Sequence, residues 1–305
     1  MMGEASCCKI DFESGNLQMP FTVTDILYGG VVPAFAAGLL MLILRWLLPD
    51  AFEKRYTVVV AFVAGFFVGH GMLSLSPWIP TAHWHWLPWM LLAATVVGPI
   101  SCVNGVYRIE RWLLYALLAL GVGWMLVPTW EDLEPARWIH QTCFVFYVVG
   151  WMAVMEPLGR RSAGPLLPAV LTATLTAAAV ILALAGSLRF AQIALAGAAS
   201  LFGIFLVSCW DRQPGRLSGI GLVFSILVIG SLLVGRVNSF SDVPLVSYAL
   251  VPLAPLGLWL TEAKPLARFP SWQRSLAGGV VALAILGTAI LMAILAEWST
   301  LSGGY

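Results

Sequence analysis

Four histidines stand out in a chain otherwise poor in titratable groups: His70, His83, His85 and His140. Three of them fall between Gly69 and Trp89, a stretch that also holds Trp78, Trp84, Trp86 and Trp89. An imidazole titrates near neutral pH, ligates metals, and makes one hydrogen bond per ring nitrogen. These side chains could therefore hold a metal or a haem, contact a polar substrate, or sense external pH. His83 and His85 are two residues apart, which on an α-helix turns them about 200° from each other, too far to share one ion. Pro88 suits a first helical turn, and residues before a proline favour extended backbone. An extended 81–87 would aim both imidazoles one way and Trp84 and Trp86 the other, a geometry that could chelate a divalent ion. The competing reading is an interfacial aromatic belt with histidines as its wet partners.

His70 stands seven residues before Trp78, placing it roughly 10 Å inside the interface if the helix continues. Gly65, Gly69 and Gly71 leave its helix face bare for close approach by another helix. The plainer reading is a neutral histidine bonded to a neighbouring helix. His140 opens a later span beside Trp138 and faces Glu131, Asp132 and Glu134, which are either oxygen ligands or solvated acids. A bis-histidine haem needs equal depth, and His70 and His140 differ by about 7 Å on helical spacing. A metal or haem at the outer histidines is thus a minor alternative, and no cofactor is expected. The binding candidates are His70, His83, His85, His140, Trp84 and Trp86.

The elements that must position these residues are apolar runs. The chain is 60% hydrophobic and 10% charged, against about a quarter charged in a soluble domain. Runs near twenty residues recur from end to end, each long enough to cross about 30 Å of hydrocarbon as a helix. Without the alternation of a barrel strand, they imply an all-α polytopic integral membrane bundle. Ten spans are expected, at about 26–48, 57–77, 86–104, 112–128, 138–157, 163–185, 189–209, 217–235, 244–261 and 274–296. This gives a polar segment over 1–25, one transmembrane domain over 26–298 and a short tail over 299–305. The first span itself, rather than a cleaved signal peptide, is the expected membrane signal.

With ten spans, twelve of the sixteen Lys and Arg residues fall on one side and nine of the fifteen acids on the other. The positive-inside rule then places both termini outside the cytoplasm, in a multi-pass protein of the cell membrane, with all four histidines in the outer half. Every Asp, Glu, Lys and Arg sits at a span end or in a loop, which speaks against a carboxylate proton relay or an intramembrane protease.

Gly29, Gly30 and Pro33, Gly98 and Pro99, and Pro252 and Pro255 interrupt spans. Such broken helices can expose backbone groups to a substrate, or simply be repaired by neighbours. Thr172, Thr174 and Thr176 read as polar glue between helices. The five cysteines (Cys7, Cys8, Cys102, Cys143, Cys209) have neither zinc spacing nor a disulfide framework. No nucleophile elbow, phosphate loop or HExxH motif occurs, and no basic run suits nucleic acid. A chain devoted to spans points to a small-molecule transporter or permease-like protein rather than an enzyme. Its partners would be the lipid bilayer and a small-molecule substrate, with an outer vestibule at the 70–89 hairpin. The alternative is a non-catalytic membrane subunit or scaffold that docks another subunit through its aromatic outer face. A redox or metal-dependent membrane enzyme subunit comes third.

Overall fold

A computed structural model describes residues 23–48, 50–101, 108–161, 164–210, 217, 219–239, 241–262 and 268–302. The polar segment up to residue 22, with Cys7 and Cys8, together with Cys102 and residues 303–305, lies outside the described residues. Among the described residues all regular structure is helical. The segments are α1 (Val23–Leu47), α2 (Asp50–Met72), α3 (Leu87–Ser101), α4 (Arg108–Leu126) and α5 (Arg137–Arg161). They continue with α6 (Leu166–Leu184), α7 (Leu188–Trp210), α8 (Ile220–Val237), α9 (Leu245–Leu250, prolonged by a 3-10 stretch Val251–Glu262) and α10 (Ser271–Ser302).

Seven helices (α1, α4, α5, α6, α7, α8 and α10) are long and apolar enough to cross a membrane, and Tyr56–Met72 and Leu245–Thr261 are shorter apolar helices. In lipid every backbone N–H and C=O must be satisfied within the segment, which is why such runs form helices. The molecule is a membrane-embedded helical bundle.

The core sits around α8, the most buried of the seven, whereas α1 and α10 keep most of their surface outward. α8 packs against α3, α5, α6 and α7, and α6 packs closely on α7. Small residues permit the closest approaches: a Cβ on Gly203 of α7 would collide with the Ala34 carbonyl of α1. The expected threonine glue takes another form. Thr172, Thr174 and Thr176 donate to Pro168, Val170 and Thr172 carbonyls of their own helix. Back-bonding of this kind hides a hydroxyl without joining two helices.

Contacts between helix ends sort the bundle into two poles. At one, Asn238 reaches His83, the Ser239 hydroxyl donates to the Ala185 carbonyl, and Arg137 donates to the Trp124 carbonyl. At the other, Gly98 meets Gly219, Arg111 pairs with Glu156, and Arg161 lies over Trp259. Successive helices from α3 to α9 therefore run antiparallel.

The three expected helix breaks divide. At Gly29 and Gly30 the chain forms a π-helical turn, Leu27–Val31, and Pro33 then opens the next α-helical stretch. At Gly98 and Pro99 the expectation is corrected: α3 runs through both to Ser101. Gly98 instead lets the Gly219 carbonyl approach to 2.6 Å of where a Cβ would stand. At Pro252 and Pro255 the helix tightens to 3-10 geometry without ending. The freed carbonyls are taken by donors on α5: Tyr147 Oη donates to Ala249 O at 2.6 Å and Trp151 Nε1 to Pro252 O at 2.6 Å. Trp259 Nε1 returns the favour to Val154 O at 3.1 Å.

Candidate functional site

All four histidines lie at the first pole, but each has separate work. α2 ends at Met72, not near residue 77, so His70 occupies its last turn and not the depth a longer helix would give it. Chain reversal follows at once: Leu73 and Leu75 donate back to the Gly69 and His70 carbonyls, and Ser74 adopts a positive φ of 48°. His70 Nε2 bonds the Ser76 hydroxyl at 2.9 Å. Its ring lies against Phe66, Phe67 and Trp78, and Nδ1 is buried without a partner among the described residues.

The extended 81–87 segment is also corrected. Only Ala82 is extended; His83–Trp86 is a 3-10 turn that runs straight into α3. His85 turns back on this entry and its Nδ1 accepts from the Thr81 N–H at 3.0 Å, the Ala82 N–H at 3.0 Å and the Thr81 hydroxyl at 3.1 Å. At the third helical position, the imidazole accepts from the backbone N–H of the N-cap residue Ala82, the capping-box task usually given to Glu or Gln. His83 points elsewhere. Its Nε2 accepts from the Asn238 side-chain amide at 3.1 Å, and its ring meets Trp130 edge-on at 5.5 Å. The two histidines do not share a side as a chelating pair would. Burial lowers the pKa of both below the usual imidazole value, helped by the mutual presence of His85 at His83 and by the Arg189 guanidinium at His85.

Trp84 and Trp86 are half-buried. Trp84 packs on Phe190 and beneath the Arg189 guanidinium, and Trp86 packs on the core. Trp78, Trp89, Trp124, Trp130 and Trp138 are exposed aromatics of this pole.

His140 borders a cavity of about 730 Å³, lined by the 130–135 loop, α5, α8 and α9. Its ring meets the Glu134 carbonyl, and its Nε2 is buried without a partner among the described residues. Arg236, at the end of α8, lines the same space and lies 5.9 Å from the Tyr248 ring. Asp132 and Glu134 stand exposed on the rim. Pro252 and Tyr147 belong to the wall, so the 3-10 stretch of α9 shapes the cavity although its carbonyls are already bonded. A second cavity of about 590 Å³ holds His83, Arg137 and Asn238 and shares Trp130 with the first.

Thus the structure groups His140 with one cavity and His83 with its neighbour, and it buries His70 and His85 in structural bonds. Sequence reasoning missed Arg236, Tyr248, Tyr147 and Asn238, which are brought to these cavities from three other helices. Arg236 alone carried a signal, as a lone arginine among the few basic residues of its pole. Among the described residues no group of three or more His, Cys, Asp or Glu converges as a metal site. An apolar cavity with few convergent polar groups is the usual form of a small-molecule site. Compared with known proteins, the chain matches no protein-family model and no curated protein.

Proposed function

We propose that the chain is a permease-like transporter for a small molecule, with ten membrane passes and both termini outside the cytoplasm of a cell. The observation that carries the transport reading is the pair of adjoining cavities at the pole where His83 and His140 lie, walled in part by the proline-interrupted α9. Antiparallel order from α3 to α9, and the concentration of basic residues at the opposite pole, support the ten-pass topology. On that topology the cavities form an outer vestibule. The bilayer is then the surrounding solvent, and the cargo enters between α5, α8 and α9.

The test is reconstitution. Purified protein is screened for thermal stabilisation by a panel of small metabolites, and stabilisers are then assayed for flux into proteoliposomes. Saturable flux of a stabilising compound is the expected result. Stabilisation without flux, across every hit, would overturn the transport reading. A second reading, a non-catalytic subunit docking a partner, is favoured by the exposed Trp78 and Trp138. It predicts a stable co-purifying membrane protein that protects both tryptophans from oxidation.

A further inference from the structure

The cavity between α5, α8 and α9 points to a particular class of ligand. We propose that it binds a monoanionic amphiphile: a molecule with one carboxylate, a neighbouring hydroxyl and an apolar body. The proposal deepens the transport reading and rests on it only for the role of the site, since binding is measured apart from flux.

The carboxylate is assigned to Arg236. A guanidinium stays charged in proteins, and a charge set against apolar walls is costly unless countered. Arg236 lines the cavity and forms none of the ion pairs among the described residues; its neighbour there is the Tyr248 ring. An arginine with a vacant planar fork fits a carboxylate in two-point fashion.

The hydroxyl is assigned to His140. The ring donates toward the Glu134 carbonyl, which leaves the buried, unpartnered Nε2 as the acceptor of a side chain that lines the cavity. A buried acceptor without a donor costs free energy that a ligand O–H would recover. His140 and Arg236 line the same cavity, so one ligand lodged there can engage both.

The apolar body is assigned to the hydrocarbon of the wall, to which Ile139, Phe144, Ile229 and Leu232 contribute. The single charge follows from the acids nearby. Asp132 and Glu134 stand on the rim and Glu297 acts on Tyr248, so a second negative charge would be repelled.

The full chain in detergent is titrated calorimetrically with four probes that share a phenyl body: phenyllactate, phenylpropionate, phenylpropanediol and phenethylamine. Phenyllactate is expected to bind most tightly, phenylpropionate more weakly, and phenethylamine not at all. Arg236→Gln should weaken phenyllactate about tenfold or more and leave the uncharged diol unchanged. Arg236→Lys keeps the charge but loses the two-point fork, so its affinity for phenyllactate should fall between those of the unaltered chain and Arg236→Gln, which guards against misfolding as the cause. His140→Leu should erase the difference between phenyllactate and phenylpropionate. The proposal is overturned if no probe binds, if phenethylamine matches phenyllactate, or if Arg236→Gln folds normally and binds phenyllactate unchanged. Binding of phenyllactate without flux would sink the transport reading and leave the ligand class standing. Flux of phenethylamine with no phenyllactate binding would do the reverse.

Discussion

At the scale of single residues, His85 is the most consequential side chain of the 70–89 hairpin, because three donors converge on its Nδ1. His85→Ala leaves two backbone N–H groups without that acceptor, and a loss of about 1–3 kcal/mol is expected, read as a lower melting temperature in detergent. His85→Gln restores the usual capping-box acceptor and should recover part of it. The same geometry sets a pH dependence. His83 and His85 both act as acceptors and so must be neutral, and both have folded pKa values below the usual imidazole range. The unfolded chain therefore binds more protons than the folded one. Their contribution is complete above about pH 6.5 and is lost as pH falls through the lowered folded values. The melting temperature is expected to be level near neutral pH and to fall toward about pH 5. In a His83→Asn/His85→Asn double variant that slope should flatten, and an unchanged slope would remove these two residues as its source.

At the scale of elements, helix irregularity is compensated from outside the helix. The 3-10 form of α9 would leave carbonyls poorly bonded in an apolar setting, and α5 supplies donors at two consecutive turns, Tyr147 and Trp151. Trp151→Phe keeps most of the ring stacked on Phe224 but strips the buried Pro252 carbonyl of its donor. A loss of about 1–3 kcal/mol is expected, whereas Tyr147→Phe, at a more exposed bond, should cost less. Equal, negligible effects in thermal unfolding would show that water or lipid headgroups replace these donors. Helix proximity gives a sharper contrast. Gly203→Ala forces a Cβ against the Ala34 carbonyl and must push α1 from α7; Gly287→Ala on α10 meets nothing within 4 Å. The first should destabilise by several kcal/mol on the scale of overpacking, and the second should be neutral or slightly stabilising through helix propensity. Differential scanning fluorimetry of the pair distinguishes the two directly.

At the scale of the whole molecule, the arrangement is a two-poled antiparallel bundle with the cavities of His83 and His140 near one pole and the Arg111–Glu156–Arg160 cluster at the other. The proposed orientation is tested in intact cells with single cysteines on a background freed of the native five. A cysteine at Ile79, which is highly exposed at the cavity pole, should react with an impermeant maleimide from outside. One at Arg268 should react only after permeabilisation. The opposite pattern would invert the protein and move the vestibule to the cytoplasmic face.

Hydrophobic run length was enough to read the class of fold, since a run of about twenty apolar residues has few stable forms other than a membrane helix. Span positions followed closely for α6 and α7, whose ends coincide with breaks in the apolar runs. The histidine hairpin was legible as an aromatic segment but not in its geometry. Whether 81–87 was extended or 3-10 depended on where the His85 lone pair found donors, a local bond that residue spacing does not encode. The Gly98–Pro99 break was misread because glycine and proline mark both broken helices and close helix contacts, and only the nearness of Gly219 separates them. The candidate binding groups were the least legible. Arg236, Tyr248 and His140 lie on three helices about a hundred residues apart in sequence at the extremes, and no periodicity relates them. Tertiary packing alone brought them to one cavity, because the lateral neighbours of a membrane helix are chosen by side-chain fit and backbone approach, not by the apolar pattern that makes each helix span.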